Sequence, residues 1–288
     1  MTPVQDSRNA MTAAIAEPSC EPTTSIQDAA RYDDVDLIIP VQNLRLIVPA
    51  SDRWVVPHLL TYRCWEPHLT RFLRRELQPA HTFMDVGANF GYFTVLCAPL
   101  VQRVIAFEPA SRTHRYCESN IAFNRLTNVE LRRCGLWAET TTLRILNDPH
   151  GVNAVITSQG DAGALEPIEV VSLDALLAAN QLQITRLDVI KMDIEGAELS
   201  ALMGMKETLV RFRPTIVMEA NRPMLATFGV TIDDVWEFFR ELSYDLLAFE
   251  HWQERDPVPV GCLDDLKSAC PADGLTDIVA VPRGRFTE

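Results

Sequence analysis

Short apolar segments alternate with amphipathic stretches over most of the chain, and this alternation constrains the fold more than any other feature. Apolar runs of this length, bounded by turn formers, are typical of strands buried on both faces of a parallel sheet. The segments are "TFMDVGA", "RVIAFEP", "VELRRCGL", "LDVIKMD", "PTIVMEAN", "YDLLAFE" and "DIVAVP". The pattern predicts an α/β fold with a doubly wound, mostly parallel sheet and helices on both of its faces.

The sequence divides into three parts. Residues 1–36 mix Pro, Ser, Thr, Asp and Glu without periodicity, which is typical of a disordered tail. Residues 37–81 are interpreted as a small N-terminal layer, with short or edge strands in "LIIPVQNLRLIVPA" and a helical stripe in "YRCWEPHLTRFLRREL". Residues 82–288 form the sheet domain, and a hydrophobic content of 47% is enough for its core.

The charge and the cysteines narrow the class of protein. A net charge of -13 argues against nucleic acid as a partner, because an acidic surface repels a phosphate backbone. The seven cysteines are scattered without a C-x-x-C pair and indicate reduced thiols. The sequence has no basic start followed by an apolar block and no run near the roughly 20 apolar residues of a membrane span. We expect a cytoplasmic protein with no membrane span and a small or neutral substrate.

Polar residues follow the predicted strands at one edge of the sheet. In open sheets of this kind the ligand lies outside the carboxyl ends of the strands. Gly87 is expected to let the backbone turn close to a ligand, and Gly91 to let the next helix pack close to the strand. The same rule selects Asp85, Asn89, Glu108, Pro109, Asp193, Glu195, Glu219 and Asn221.

The turn after the first long strand favours S-adenosylmethionine over a dinucleotide. The dinucleotide fingerprint G-x-G-x-x-G is incomplete here, and Asp85 would repel a pyrophosphate but suits an ammonium group. Glu108 lies 23 positions beyond Asp85 and is placed to accept hydrogen bonds from both ribose hydroxyls. The predicted cofactor contacts are Asp85, Gly87, Ala88, Asn89, Gly91, Glu108, Pro109 and Asp193, with Cys134 and Gly135 lining the adenine pocket at the end of the third strand.

Six segments together resemble the FkbM-type methyltransferases, which are class I enzymes that use S-adenosylmethionine. They are "FMDVGANFGYFTVL", "VIAFEP", "VVSLDALL", "DVIKMDIEGAE", "RPTIVMEAN" and "DIVAVP", and "KMDIEGAE" is the most specific of them. The resemblance covers about residues 60–282. It implies a seven-stranded sheet whose last strand, "DIVAVP", is antiparallel to the others. It also implies O-methylation of a hydroxyl on a sugar, a polyketide or another natural product.

Methyl transfer to a hydroxyl requires a base or a metal ion, because an alcohol is a weak nucleophile at neutral pH. Asp193 and Glu195 are the candidates; we favour Asp193 as the base, with Glu195 supporting it or binding substrate. They alternate along a strand end, so both face the site only if Gly196 interrupts the strand. Glu219 and Asn221 are predicted to contact the substrate. By analogy with catechol-type methyltransferases, these two and Asp193 are an alternative set of Mg²⁺ ligands.

Other polar residues have two interpretations. His150 and Asn153 lie in a segment rich in turn formers, which is predicted to cross the surface, and they either reach over the acceptor site or belong to a plain turn. The remaining histidines, His68 among them, are isolated in the sequence and are predicted to be surface or core residues. Trp65 and Glu66 either close the cofactor pocket or anchor the N-terminal layer.

Two classes of function are compatible with this pattern. The first is an S-adenosylmethionine-dependent O-methyltransferase, and the second is a non-catalytic scaffold or regulatory subunit with the same fold. The presence of Asp85, Glu108 and Asp193 favours the enzyme. An NAD-dependent dehydrogenase is disfavoured, because the middle glycine of the fingerprint is missing and no Tyr-x-x-x-Lys pair occurs.

Overall fold

The structure, a computed structural model, describes residues 35–146, 155–156, 165–249 and 256–284. Its strands are β1 (Asp36–Val41), β2 (Leu44–Pro49), β3 (Thr82–Val86), β4 (Arg103–Phe107), β5 (Val129–Arg132), β6 (Gly135–Leu136), β7 (Thr141–Leu146), β8 (Val155–Ile156), β9 (Leu165–Val171), β10 (Val189–Met192), β11 (Thr215–Asn221), β12 (Tyr244–Ala248), β13 (Val258–Val260) and β14 (Leu275–Pro282). Its helices are α1 (Val55–Tyr62), α2 (Pro67–Glu76), α3 (Tyr92–Cys97), α4 (Ser111–Phe123), α5 (Leu173–Ala178), α6 (Glu198–Met203), α7 (Lys206–Phe212), α8 (Arg222–Thr227), α9 (Ile232–Glu241) and α10 (Leu263–Ala269).

The main sheet has eight strands in the order β13-β12-β14-β11-β10-β3-β4-β5. Five adjacent strands are parallel to one another, namely β5, β4, β3, β10 and β11. The next strand in the sheet, β14, is antiparallel to both β11 and β12. The predicted mostly parallel sheet with an antiparallel last strand is therefore confirmed. The eighth strand, Val258–Val260, was not predicted, because three residues around a proline carry little strand signal.

Both faces of the sheet are buried. Along β3 every residue is buried, with Met84 and Val86 in the core on one face and Phe83 in the core on the other. This two-sided burial explains why the strand sequences read as continuous apolar runs. No helix in the described ranges is long and apolar enough to cross a membrane.

The third predicted strand is shorter than expected. β5 ends at Arg132, and Gly135–Leu136 belongs to a separate four-stranded sheet in the order β6-β9-β7-β8. The prediction that Cys134 and Gly135 end the third strand is thus wrong. The predicted surface segment 147–167 is also shorter, because β9 begins at Leu165 and pairs with β7. His150 and Asn153 lie outside the described residues.

The N-terminal layer consists of the β1–β2 hairpin and helices α1 and α2. The hairpin attaches to α4 through Asn120, whose side chain is fully buried and pairs with the backbone N and O of Ile47 at 2.6 and 2.9 Å. The predicted helix in this layer begins only at Pro67, and α1 was not predicted. The layer therefore brings the residues just before and within α2 against the edge of the main sheet. The predicted tail lies outside the described residues up to position 34.

Candidate active site

A cavity of about 400 Å³ opens at the carboxyl ends of β3, β4, β10 and β11, where the sequence predicted a ligand site. Nine predicted site residues line it: Gly87, Asn89, Glu108, Pro109, Gly135, Asp193, Glu195, Glu219 and Asn221. Four others do not line it, namely Asp85, Ala88, Gly91 and Cys134. The sequence thus located the cavity but misjudged the orientation of part of the glycine turn.

Gly87 and Gly91, the two glycines of the turn after β3, lie so close to other parts of the protein that a side chain would not fit at either position. Gly87 has φ +81°, and a Cβ at this position would lie 1.9 Å from the backbone O of Asp193. Gly91 has φ +84° and precedes α3, and a Cβ there would lie 2.8 Å from Cys117 Sγ of α4. The close neighbour of Gly91 is therefore α4, whereas the sequence predicted a role in packing α3 against the strand. Gly87 instead lets the ends of β3 and β10 meet beneath the cavity.

Asp85 lies under the turn and has no exposed surface. Thr94 Oγ1 donates a hydrogen bond of 2.6 Å to Asp85 Oδ2, and the charge of Lys191 acts on the same carboxylate. Burial raises the pKa of Asp85, although Lys191 and Thr94 oppose the shift. The direct contact predicted between Asp85 and a cofactor does not fit this placement. Asp85 supports the turn from below.

Glu108 connects the turn to α4 and also faces the cavity. Its Oε2 accepts a hydrogen bond of 2.7 Å from Asn89 N, and its Oε1 accepts from Ala110 N at 3.0 Å and Thr113 Oγ1 at 2.7 Å. Each carboxylate oxygen has two acceptor sites, so these bonds leave capacity for a ligand hydroxyl. Burial raises the pKa of Glu108, opposed by the bond from Thr113.

Asp193 and Glu195 both line the cavity, because β10 ends at Met192 and the chain then turns. Glu195 and Gly196 have φ +56° and +96°, so the alternation of a regular strand does not apply. The prediction that Gly196 interrupts the strand is confirmed. Lys191 Nζ donates a hydrogen bond of 3.2 Å to Asp193 Oδ2.

Lys191 is 4% exposed and lies between acids. Burial by itself would lower its pKa, but Asp193, Asp85 and Glu66 raise it above the usual value. The ammonium group also lies 5.1 Å from the ring centre of Phe93. Lys191 is therefore a buried cation that joins the acid under the glycine turn to the acid that faces the cavity.

Glu219 and Asp277 are direct neighbours across the antiparallel pair β11–β14, and both line the cavity. Burial and the nearby Asp193 raise the pKa of Glu219 to about 10. Burial and Asp193 also raise the pKa of Glu195 to about 8. Both side chains are therefore protonated at a higher pH than a solvent-exposed glutamate.

Asn221 begins α8 as its N-cap, and its Oδ1 accepts a hydrogen bond of 3.3 Å from Met224 N. The side-chain amide Nδ2 is the group that it can offer to a ligand. In the described part of the chain, no three His, Cys, Asp or Glu side chains are arranged to hold a metal ion. The alternative Mg²⁺ site of Asp193, Glu219 and Asn221 stays a prediction, because one of its three ligands is an amide.

Sequence reasoning undervalued three residues of the N-terminal layer, Trp65, Glu66 and His68, all of which line the cavity. His68 is 2% exposed, and its Nε2 lies 2.7 Å from Asp277 Oδ2, 209 positions away in the sequence. His68 was predicted to be a surface or core residue; it is buried, and it also lines the cavity beside an acidic partner from the last strand. Burial and the nearby Asp277 raise the pKa of Glu66 well above its usual value.

Six carboxyl side chains line the cavity: Glu66, Glu108, Asp193, Glu195, Glu219 and Asp277. Within the described ranges no lysine or arginine lines it, and Lys191 lies beside it in a narrow cleft bordered by Glu66, Asp193, Glu219 and Asp277. Such a site favours cations and hydrogen-bond donors and disfavours phosphates and carboxylates.

Comparison with known proteins yields distant relatives. The chain is 24% identical over 144 residues to "Methyltransferase 1" of Beauveria bassiana, a match that covers 43% of this chain and 58% of that protein. It is 27% identical over 146 residues to "Hexuronic acid methyltransferase AglP" of Haloferax volcanii, which covers 50% of this chain and 58% of that protein. The chain thus spans less than two thirds of the length of either relative.

Among solved structures, methyltransferase FkbM from Methylobacillus flagellatus KT matches with a TM-score of 0.45 and 16% identity, covering 73% of this chain and 50% of that one. A model of the methyltransferase FkbM domain matches residues 85–246. This range includes more than half of the chain and extends from the glycine turn to β12. The chain therefore belongs to the FkbM methyltransferase family.

Proposed function

We propose that this chain is an S-adenosylmethionine-dependent methyltransferase that acts on a hydroxyl group of a small molecule or glycan. The observation that carries the proposal is the meeting of two sets of residues in one cavity. Gly87, Asn89 and Glu108 follow the first two strands of the domain, and Asp193 and Glu195 follow β10. The residues after β3 and β4 suit a nucleoside, and the two acids after β10 suit an acceptor hydroxyl that must lose a proton.

The cavity residues fit S-adenosylmethionine. Glu108 keeps one free acceptor site, on Oε2, for a ribose hydroxyl. Pro109 and Gly135 border the adjoining wall, where Leu136, Ile168 and Val170 supply apolar surface for a base. The carboxylates of the opposite wall match the positive sulfonium and ammonium groups of the cofactor. When bound, S-adenosylmethionine supplies an electrophilic methyl group, which an acceptor oxygen takes as the carbon–sulfur bond breaks and sulfur keeps the electron pair.

Asp193 is proposed to accept the proton of the acceptor hydroxyl. Its side chain faces the cavity and is 28% exposed, and Lys191 fixes one of its oxygens at 3.2 Å. Its other oxygen, Oδ1, is the atom proposed to take the proton of the hydroxyl. Glu195 lines the same wall, and burial and Asp193 raise its pKa to about 8, so its protonated form is proposed to orient the acceptor by donating a hydrogen bond.

The acidic wall also supports a small acceptor over a nucleic acid, because the phosphates of a polynucleotide would meet carboxylates close to the reacting atoms. One relative is named for a hexuronic acid substrate, which makes sugars a class to test, although the acidic wall of this chain disfavours the carboxylate of a sugar acid. The proposal places the methyl group on a hydroxyl rather than on a carboxylate, since a carboxylate acceptor would be repelled by the same wall.

Calorimetric titration is the first test. S-adenosylmethionine and S-adenosylhomocysteine are expected to bind with micromolar affinity, whereas NAD is expected not to bind. Glu108→Gln should weaken binding of both nucleosides at least tenfold, and Glu237→Gln, a change at an exposed residue of α9, should leave it unchanged. Binding of NAD alone would contradict the proposal.

A transfer assay with methyl-labelled cofactor and a panel of glycosides and small alcohols then tests catalysis, with and without a chelator. Label in a hydroxyl position of an acceptor is the expected result. If the cofactor binds but no methyl label is transferred to any fraction of a small-molecule extract, the result would favour a non-catalytic scaffold or regulatory subunit.

A further inference from the structure

Five of the six cavity carboxyl groups gather at the end of the cavity away from Glu108, and this group is called the acidic end: Glu66, Asp193, Glu195, Glu219 and Asp277. They come from three distant parts of the sequence, namely the N-terminal layer, the β10 turn and the β11–β14 pair. The negative charges of the other four each raise the pKa of Glu219. Lys191 offsets one negative charge from beneath.

Two buried polar atoms at the acidic end lack a hydrogen-bond partner among the described residues. Glu66 Oε2 is buried and has no hydrogen-bond partner in the described part of the chain, and the same holds for Nδ1 of His68, which is 2% exposed. Buried polar atoms of this kind normally have a partner, and an unpaired one destabilises the protein. The missing partner of a carboxyl oxygen is a proton donor.

An ammonium group meets these requirements better than a hydroxyl does. It has a positive charge and three donors, whereas a hydroxyl is neutral and has one. Trp65 also lines the cavity, and an indole ring that borders the site can add a favourable interaction with an alkylammonium group. The cofactor itself contains one ammonium and one sulfonium group, so the acidic end has more carboxyl groups than the cofactor needs.

We propose that the acceptor molecule carries an ammonium group, which Glu66, Glu219 and Asp277 bind while Asp193 faces the hydroxyl to be methylated. This inference rests on the proposed function and names a substrate class for it. Amino alcohols and amino sugars belong to that class. Neutral polyols would bind more weakly, and sugar acids would be excluded.

The test uses three probes with the same carbon skeleton, propylammonium chloride, propan-1-ol and sodium propanoate, at matched ionic strength. Their binding to the full-length protein is measured by ligand-observed NMR in saturating S-adenosylhomocysteine. This nucleoside fills the part of the cavity next to Glu108, and its ammonium group neutralises the carboxyl groups that the cofactor itself requires. Propylammonium is expected to bind at least tenfold more tightly than the other two, since hydrogen bonds to charged groups differ from neutral ones by about that factor. Glu219→Gln and Asp277→Asn should each remove most of this preference, and Glu237→Gln should preserve it.

Three results would overturn the inference. The first is equal binding of the three probes, including no detectable binding of any. The second is a preference for propanoate. The third is binding of propylammonium only without S-adenosylhomocysteine, which would assign the acidic end to the cofactor. The probe comparison on the unmodified protein does not depend on the folding of any variant. Failure of S-adenosylhomocysteine to bind at the outset would instead refute the proposed function.

Discussion

Gly87→Ala tests the close contact beneath the cavity, provided that its loss of stability is compared with that of a glycine whose left-handed backbone has no such contact. Gly229 is the matched control, since it has φ +69° and a Cβ there would meet nothing within 4 Å. Both substitutions place an L side chain at positive φ, which costs about 1–2 kcal/mol. Only Gly87→Ala adds a Cβ that lies 1.9 Å from the Asp193 carbonyl oxygen and 2.9 Å from Ile194 Cγ2.

The additional cost follows from that contact. The Asp193 carbonyl belongs to the backbone at the end of β10 and must retreat by about 1 Å before the contact becomes tolerable, and forced displacements in a packed interior cost about 1–3 kcal/mol. We therefore expect the free energy of unfolding of Gly87→Ala to fall by about 1–3 kcal/mol more than that of Gly229→Ala. The shift also moves Asp193 relative to the turn, so the affinity for S-adenosylhomocysteine should fall at least tenfold in Gly87→Ala alone.

Urea denaturation measures the first quantity and calorimetric titration the second, with all three proteins at one pH and salt concentration. Equal losses of stability in the two variants, together with unchanged affinity in Gly87→Ala, would refute the reasoning. In that case the β3 turn and the end of β10 would not be in contact beneath the cavity.

Three further predictions concern the charged groups. Asp193→Asn should lower kcat by roughly 100-fold or more with little change in cofactor affinity; a large loss of affinity would make Asp193 a cofactor ligand. Lys191→Met removes the buried partner of two acids and should lower the free energy of unfolding by about 3–5 kcal/mol in urea denaturation; a loss below about 1 kcal/mol would contradict the buried ion cluster. The pKa of Glu219 is raised to about 10 in the folded protein. The stability that its protonated side chain contributes is therefore fully present below the unfolded pKa near 4.5 and is lost as the pH rises towards 10. Between pH 6 and 8 the wild-type protein should therefore lose about 1.4 kcal/mol of unfolding free energy per pH unit relative to Glu219→Gln, and identical pH profiles would exclude the shift.

The sheet was predictable because its strands carry a local signal. β3 is buried on both faces, so every residue from Thr82 to Val86 contributes to an apolar run that a single sequence reveals. The carboxyl ends of such strands meet at one edge, which placed Glu108, Asp193 and Glu219 in one site without any knowledge of contacts. The short edge strand Val258–Val260 and the start of α2 at Pro67 were missed, because each depends on packing rather than on a local pattern.

The other half of the site was not predictable from local patterns. His68 and Asp277 are 209 positions apart, and neither has a charged residue at a spacing that suggests the pair. Their approach depends on the docking of the N-terminal layer, which Asn120 fixes through hydrogen bonds to β2. The buried position of Asp85 was also hidden, because its bond to Thr94 depends on how α3 leaves the turn.

The acidic end is better explained by ligand binding than by stability. Burial opposes ionisation of Glu66, Glu195 and Glu219, and their mutual repulsion raises the pKa values further, so these residues oppose folding at neutral pH. Apolar residues at the same positions would give a more stable protein. Perturbed acids that gather in a cavity of this size are typical of functional sites, and a cation that enters the cavity would supply the favourable interactions that these acids lack. In the proposed function the sulfonium of the cofactor supplies one such charge, and an ammonium group on the acceptor would neutralise the carboxyl groups that remain.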